Sequence, residues 1–483
     1  ARAWGNALPA SLEANRYLLQ ILIGMNRVGD IQDPLKRHLA TLALPERVAV
    51  IRLLPRHFAR TQDKKQAAAV LEQALEKDLK DARTAGAAWS SVGLLKLQAD
   101  DASGAMEAVR RATQFDPKSE DPIYLALNLL GTDKSGAEAM VHQFLSGKTS
   151  AELRMTYIRY LLDAQKYAPA YEQALVLTRD WPEFADGWLV QGSLELQNQQ
   201  LSTAEASLKS YLLRAAAAPT PGEGTEMSRG VVQAHLLLSQ IAEQTQRLDE
   251  AQQYLQRIDS PKDALRVAGR RAAILARQGK LDAARALLHA LPLEQADDER
   301  TRISLESQLL RDNRQYQSAY QLLTEAVVRY PQDSDLLYDL AMMAEKVGQP
   351  DQMEALLRQV IAAKPDYYHA YNALGYSLAD RNLRLVEARQ LIVKALELSP
   401  NDPYIVDSLA WVEFRVGKFP EALKLLRGAF QSRPDPEIAA HLGEVLWANG
   451  QRTEAIDVWR QGSALSSDNE TLLETRKRLQ GTP

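Results

Sequence analysis

The chain has 483 residues, a formal net charge of −4, 25% charged residues and no cysteine. A single hydrophobic core seldom grows beyond about 250–300 residues, so this length calls for several domains or a repeat array. A pI near 6.1 with no basic run argues against a nucleic-acid partner, and the absence of cysteine removes disulfides, thiol nucleophiles and thiolate metal sites.

Residues 1–10 show no periodicity and read as a flexible lead. Ser11 suits the N-cap of a helix running to about Asn26, which carries Leu12, Tyr17, Leu18, Ile21, Leu22 and Met25. A second short helix is predicted over 34–44, and residues 1–48 together lie outside any repeat. From residue 49 paired helical patterns follow one another as a first array over 49–218, with a shortened unit between 120 and 150 marked by Gly131 and Gly136. The stretch 219–230, with Pro219, Pro221, Gly222, Gly224 and Gly230, reads as an extended connection rather than a hinge. A second array occupies 231–467, and Asp468 and Asn469 are placed to cap a polar last helix over 470–479 that covers the final apolar face. No segment alternates as a strand would, and the apolar run over 17–25 is too short to span a membrane.

The arrays share one period. Pro331, Pro365, Pro400 and Pro434 stand 34, 35 and 34 residues apart. With Ser334 as position 1, Leu340 and Ala341 fall at positions 7 and 8, Gly348 at 15, Met353 at 20, Val360 at 27 and Pro365 at 32. The same pattern returns through Gly375, Ala388 and Pro400, through Ala410, Gly417, Ala422 and Pro434, and earlier through Trp89, Gly93, Ala105, Ala112 and Pro117. Small residues at positions 8 and 20 let two antiparallel helices approach closely. Proline cannot continue the second helix and restricts the residue before it, so it closes each unit. This is the period of the tetratricopeptide repeat. The expected fold is all-α, a superhelical solenoid of about 11–13 helix-turn-helix repeats, with an N-terminal helical segment outside the pattern and a C-terminal capping helix.

Nothing in the chain assembles an active site. The seven histidines, His38, His57, His142, His235, His289, His369 and His441, form no pair at ligand spacing and read as surface or packing residues. Asp297, Asp298 and Glu299, and likewise Asp100 and Asp101, sit at predicted helix starts, where the helix dipole favours acidic side chains. No phosphate loop, dinucleotide fingerprint or nucleophile elbow occurs. We therefore expect no enzyme activity, no cofactor and no metal.

Binding surfaces remain. Positions 2, 5, 9 and 12 of the first helix line the concave face of such a repeat, and there the chain carries or approaches Tyr338, Met342, Tyr376, Trp411, Phe414 and Trp447. Aromatic side chains offer large contact area at low entropic cost, so these six form the candidate peptide groove, with packing against neighbouring helices as the alternative. On the N-terminal helix, Tyr17, Ile21 and Val28 mark one side, and Leu18, Leu22 and Met25 another. A helix apolar on two sides at the end of a solenoid either tucks into the coil or docks on a partner; only one side can be buried by tucking in, so Tyr17, Leu18, Ile21, Leu22 and Met25 are the candidate partner-docking set, with tucking in as the alternative.

The stretch Tyr367-Tyr-His-Ala-Tyr-Asn-Ala-Leu-Gly-Tyr-Ser-Leu-Ala-Asp380, followed by Ala395-Leu-Glu-Leu-Ser-Pro-Asn-Asp-Pro403 and Asp407-Ser-Leu-Ala-Trp-Val412, resembles the C-terminal part of bacterial tetratricopeptide-repeat lipoproteins. Most of the chain is similar to a Gram-negative outer-membrane lipoprotein that binds and activates a periplasmic carboxyl-terminal-processing protease. The resemblance implies an adaptor that tethers the protease and presents substrates such as peptidoglycan cross-link hydrolases. It implies a periplasmic location with a lipid anchor as the only link to the membrane, and this cysteine-free sequence does not carry the lipidated residue. Freedom from cysteine suits an oxidising compartment. A scaffold of an envelope polysaccharide synthesis and export complex is the alternative.

Overall fold

The computed structural model describes residues 11–58, 61–131, 136–217, 229–293, 295 and 297–481. The lead expected over 1–10, most of the 219–230 connection and most of the link between Gly131 and Gly136 lie outside the described residues. Packing divides the chain into two compact units, residues 1–258 and 259–483, and no strand occurs among the described residues.

In the first unit α1 (Leu12–Gly24), α2 (Gln32–Ala40) and α3 (Leu44–His57) precede α4 (Lys64–Ala74), α5 (Ala85–Gln98) and α6 (Ala102–Phe115). There follow α7 (Asp121–Leu129), α8 (Ala137–Leu145), α9 (Ala151–Asp163), α10 (Tyr167–Asp180), α11 (Ala185–Gln197), α12 (Leu201–Ala217), α13 (Arg229–Gln244) and α14 (Leu248–Gln256). Ser11 caps α1 as expected, its hydroxyl accepting from the Ala14 amide. The short α7 and α8, nine residues each, are the shortened unit. The boundary between the two compact units falls after α14. α12 and α13 share one apolar cluster through Leu208, Tyr211, Ala234 and Leu238, so the Pro/Gly-rich stretch interrupts sequence without interrupting packing.

The second unit comprises α15 (Ala264–Arg277), α16 (Leu281–His289), α17 (Asp298–Asp312), α18 (Tyr316–Arg329), α19 (Ser334–Lys346), α20 (Pro350–Ala363) and α21 (Tyr368–Asp380). It ends with α22 (Leu385–Leu398), α23 (Pro403–Arg415), α24 (Phe419–Ser432), α25 (Pro436–Ala448), α26 (Arg452–Leu465) and α27 (Glu470–Gln480). Its core is a chain of overlapping clusters, running from Ala268 to Leu309, from Ile303 to Met343 and from Leu337 to Leu472. Each repeat hands its apolar face to the next, as a solenoid requires.

Local chemistry explains the punctuation. Lys364, Ser399 and Arg433, each before a ladder proline, are extended with φ of −137°, −132° and −147°, the conformation that proline imposes on its predecessor. Asp333 and Asp402 then cap α19 and α23 by accepting backbone amides, worth about 1 kcal/mol each. Inside the repeats the helices nearly touch. A Cβ added to Gly375 would lie 2.6 Å from Ile392 Cγ1 and 2.9 Å from the Ala388 carbonyl oxygen. The last helix follows the expected plan: Asn469 caps α27, which buries Leu472 and Thr475.

Candidate functional site

In the first unit, α1 settles on one stripe. Leu18 and Leu22 are each 3% exposed and belong to the core, whereas Tyr17, Ile21 and Met25 stand out, Met25 at 61% exposed. The docking set therefore contracts to Tyr17, Ile21 and Met25. The correction has a plain cause: Leu18 and Leu22 lie four residues apart on the stripe that faces the first-unit core, which also holds Val28, Ile31, Leu35 and Leu39. Val28, expected alongside Tyr17 and Ile21, is itself buried.

In the second unit, first helices of successive repeats pack against one another from α21 through α23 and α25 to α27. The coil curves far enough that Arg314, after α17, meets the Glu470 carboxylate at the start of α27 at 3.2 Å, and Lys346 meets the same group at 3.9 Å. On the wall so formed, His441 is the hub. Its Nδ1 donates to Asp407 Oδ2 at 2.7 Å, its Nε2 lies 3.1 Å from the Tyr376 hydroxyl, and its ring stacks on Trp411 with centroids 4.4 Å apart. Three consecutive repeats are tied by this one buried side chain. Burial opposes charge on His441, but the Asp407 carboxylate, with Glu444 and Glu437 nearby, outweighs it and holds the imidazole above the ordinary histidine range. Burial, with Asp380 and Asp407 adding, likewise pushes the Tyr376 hydroxyl far up.

This network removes Trp411 from the groove. It is only 3% exposed, and its indole N–H donates to Asp380 Oδ1 at 3.3 Å. Phe414 leans on Trp411 at 5.2 Å and on Phe419 at 5.5 Å, and Trp447 packs on Trp459 at 5.6 Å with Arg452 5.1 Å from its ring centre. Trp411 thus serves helix-to-helix packing, the alternative held open for it, while Phe414 and Trp447 are half-buried against the same cluster. Tyr338, Met342 and Tyr376 are half-buried along the inner wall. Beside Tyr338 stands an aromatic group outside the six candidate groove residues: Tyr367 at 5.5 Å and His369 at 6.2 Å, with Tyr368 tilted against His369 at 4.0 Å. His369 occupies position 2 of its repeat, so its place on this face was legible from the register.

The wall is also acidic. Asp339, Glu345 and Glu437 have no ion-pair partner among the described residues, and burial pushes all three carboxyls above the usual range. Neighbouring carboxylates reinforce the effect, Asp335 on Asp339, Asp380 on Glu345 and Asp435 on Glu437. Glu345 and Glu437 are nevertheless reached by solvent. Groups flanked by protein yet open to water are what the inside of a coil produces. Burial also raises the Tyr338 hydroxyl to about 12.

The acidic pairs singled out in the sequence have structural duties. Asp101 accepts the Gly104 amide as an N-cap, and Asp297 is the N-cap residue of α17 with Asp298 and Glu299 in its first turn. Among the described residues no group of three His, Asp or Glu side chains is arranged to hold a metal, and no helix is long and apolar enough to cross a membrane.

Tetratricopeptide-repeat models match residues 232–260, 310–375 and 408–466. A tetratricopeptide-repeat protein of Pseudomonas aeruginosa is 41% identical over 211 residues, which is 44% of this chain and 36% of that protein. A human protein O-mannosyl-transferase is 24% identical over 171 residues, 34% of this chain and 19% of the transferase. The chain thus spans about a third and about a fifth of these relatives. Among solved structures, a tetratricopeptide-repeat protein of Parabacteroides merdae is 14% identical, with a TM-score of 0.40 over 52% of this chain and 99% of its own. One from Thermus thermophilus is 23% identical, with a TM-score of 0.33 over 36% of this chain and 93% of its own. Tetratricopeptide repeats are thus matched in both units, and the helix pairs between the matched stretches have the same helix-turn-helix build.

Proposed function

We propose that this chain is a protein-binding adaptor of the bacterial envelope, holding a carboxyl-terminal-processing protease on its N-terminal helices and a client polypeptide on the inner wall of its second unit. The observation that carries the reading is that wall. Tyr338, Met342 and Tyr376 lie half-buried along it among carboxylates that form no salt bridge with another described residue. Such a surface favours an extended segment whose Lys or Arg side chains pair with Asp339, Glu345 and Glu437 while its apolar parts lie on the tyrosines. Exposed Tyr17, Ile21 and Met25 supply a separate apolar patch for the protease. Cell-wall hydrolases are the client class that the sequence resemblance brings, and the periplasmic location comes with them. The chain contributes proximity: two proteins held on one scaffold meet at an effective concentration in the millimolar range.

Fluorescence anisotropy with a labelled, extended Lys- and Arg-containing peptide tests the inner wall. Binding should weaken about tenfold in Tyr338→Ala, and by a similar factor in Glu437→Gln. The three carboxyls titrate above the usual range, so they are incompletely ionised in mild acid and binding should tighten as pH rises toward neutrality. Equal binding by the wild type and both variants at pH 7 would leave the wall without a client role. Affinity purification from an envelope fraction should recover a protease through Tyr17, Ile21 and Met25, and the triple alanine variant should lose it. Recovery of polysaccharide synthase subunits in its place would favour the export scaffold.

A further inference from the structure

A cavity of about 180 Å³ opens between α1, α2 and α3, walled by Leu19, Ile23, Leu35, Val50, Leu54 and Phe58. An apolar cavity of about 150 Å³ is large enough to take benzene. This one therefore admits one leucine- or phenylalanine-sized side chain and is too small for a long acyl chain. Its mouth is on the surface, since Leu53 is exposed and Ile23 and Val50 are half-buried.

The polar lining is Arg16, Gln20, His38 and His57, with no carboxylate among them. Arg16 and His57 are exposed, and neither has an ion-pair partner among the described residues. His38 is 7% exposed, and its Nδ1 has no hydrogen-bond partner. A buried, unpaired imidazole is costly unless something completes it. Burial, with Arg16 adding, holds His38 below the ordinary histidine range, so at neutral pH it is uncharged and able to accept or donate one hydrogen bond.

An apolar hole with the Arg16 guanidinium at its mouth and no carboxylate in its lining selects a ligand with a compact apolar body and an anionic head. We propose that this cavity is an anchor pocket for the C-terminal residue of a partner polypeptide, its side chain filling the cavity and its α-carboxylate set against Arg16 and His57. Capture of a chain terminus by a shaped pocket is a recurrent mode of peptide recognition. The proposal rests on the reading of the N-terminal helices as a partner-docking surface and adds to it the chemistry of the docked end.

The test is fluorescence anisotropy with the full chain and a fluorescein-labelled Ser-Gly-Ser-Gly-Leu peptide, bearing a free C-terminus or an amide. The free acid should bind about tenfold tighter than the amide, the contribution of one charge-assisted contact. Arg16→Gln, at an exposed position, should lower the acid to the amide's affinity and leave the amide unchanged. Val50→Phe, which fills the cavity, should abolish binding of both while circular dichroism shows the helical content retained. Octanoate is the control for an acyl ligand. Equal affinity for acid and amide, no effect of Arg16→Gln, or octanoate binding without peptide binding would each overturn the proposal. Protease recovery that depends on Tyr17, Ile21 and Met25 but not on Arg16 would keep the docking surface and remove the pocket from it.

Discussion

His441 shows how one side chain decides what a helix face does. When it is charged, Nδ1 donates to Asp407 and Nε2 donates to the Tyr376 hydroxyl oxygen; when it is neutral, the tyrosine must donate instead. Its folded-state pKa is raised, so the stability it supplies is complete below the ordinary histidine value and is lost as pH rises through the raised one. Thermal unfolding followed across that window should show the wild type losing stability and His441→Gln holding a flatter profile. Parallel profiles would mean that the buried pair does not titrate with folding. The sequence exposed little of this. His441 falls in register beside Asp407 of the preceding repeat, but the contact depends on the pitch of the coil, which a 34-residue period does not specify. Trp411 misled for the same reason: a position that faces inward in one repeat is covered when the next first helix brings a ring against it.

At the scale of the helix pair, close approach is the organising fact, and it was the most legible one. The small residues at positions 8 and 20 announced the crossing, and the prolines announced its end. Gly375→Ala places a Cβ against both Ile392 and the Ala388 backbone, so it should cost about 1–3 kcal/mol through overpacking. Gly428→Ala, inside α24 with nothing within 4 Å of the added Cβ, should gain about 0.5–1 kcal/mol. Chemical denaturation of the two variants checks the pair, and the same sign for both would refute the packing account. The N-terminal helices were harder to read. α1 carries apolar residues on two sides, and only the cluster formed with Ile31, Leu35 and Leu39 shows that Leu18 and Leu22 point inward and Met25 outward. The cavity between α1, α2 and α3 has no sequence signature, because it is a gap left among residues that each look like core.

Over the whole molecule the division of labour follows from composition. No phosphate-loop or nucleophile-elbow motif occurs in the sequence. What the chain offers is surface: an apolar patch and a pocket on the first unit, an acidic aromatic wall on the second. Repeats whose packing is mostly with their neighbours can carry such surfaces largely independently. Fold class was readable from a single period, whereas the proposed partner chemistry rests on the carboxylates of α19 and α25 and on the cavity beside α2, none of which a period reveals. The most direct test of the adaptor account is the rate at which a purified carboxyl-terminal-processing protease degrades a cell-wall hydrolase, with and without this chain. The account predicts an acceleration of about tenfold or more that peaks near equal stoichiometry and falls when excess chain separates the two partners. An unchanged rate at every concentration of the chain would contradict it.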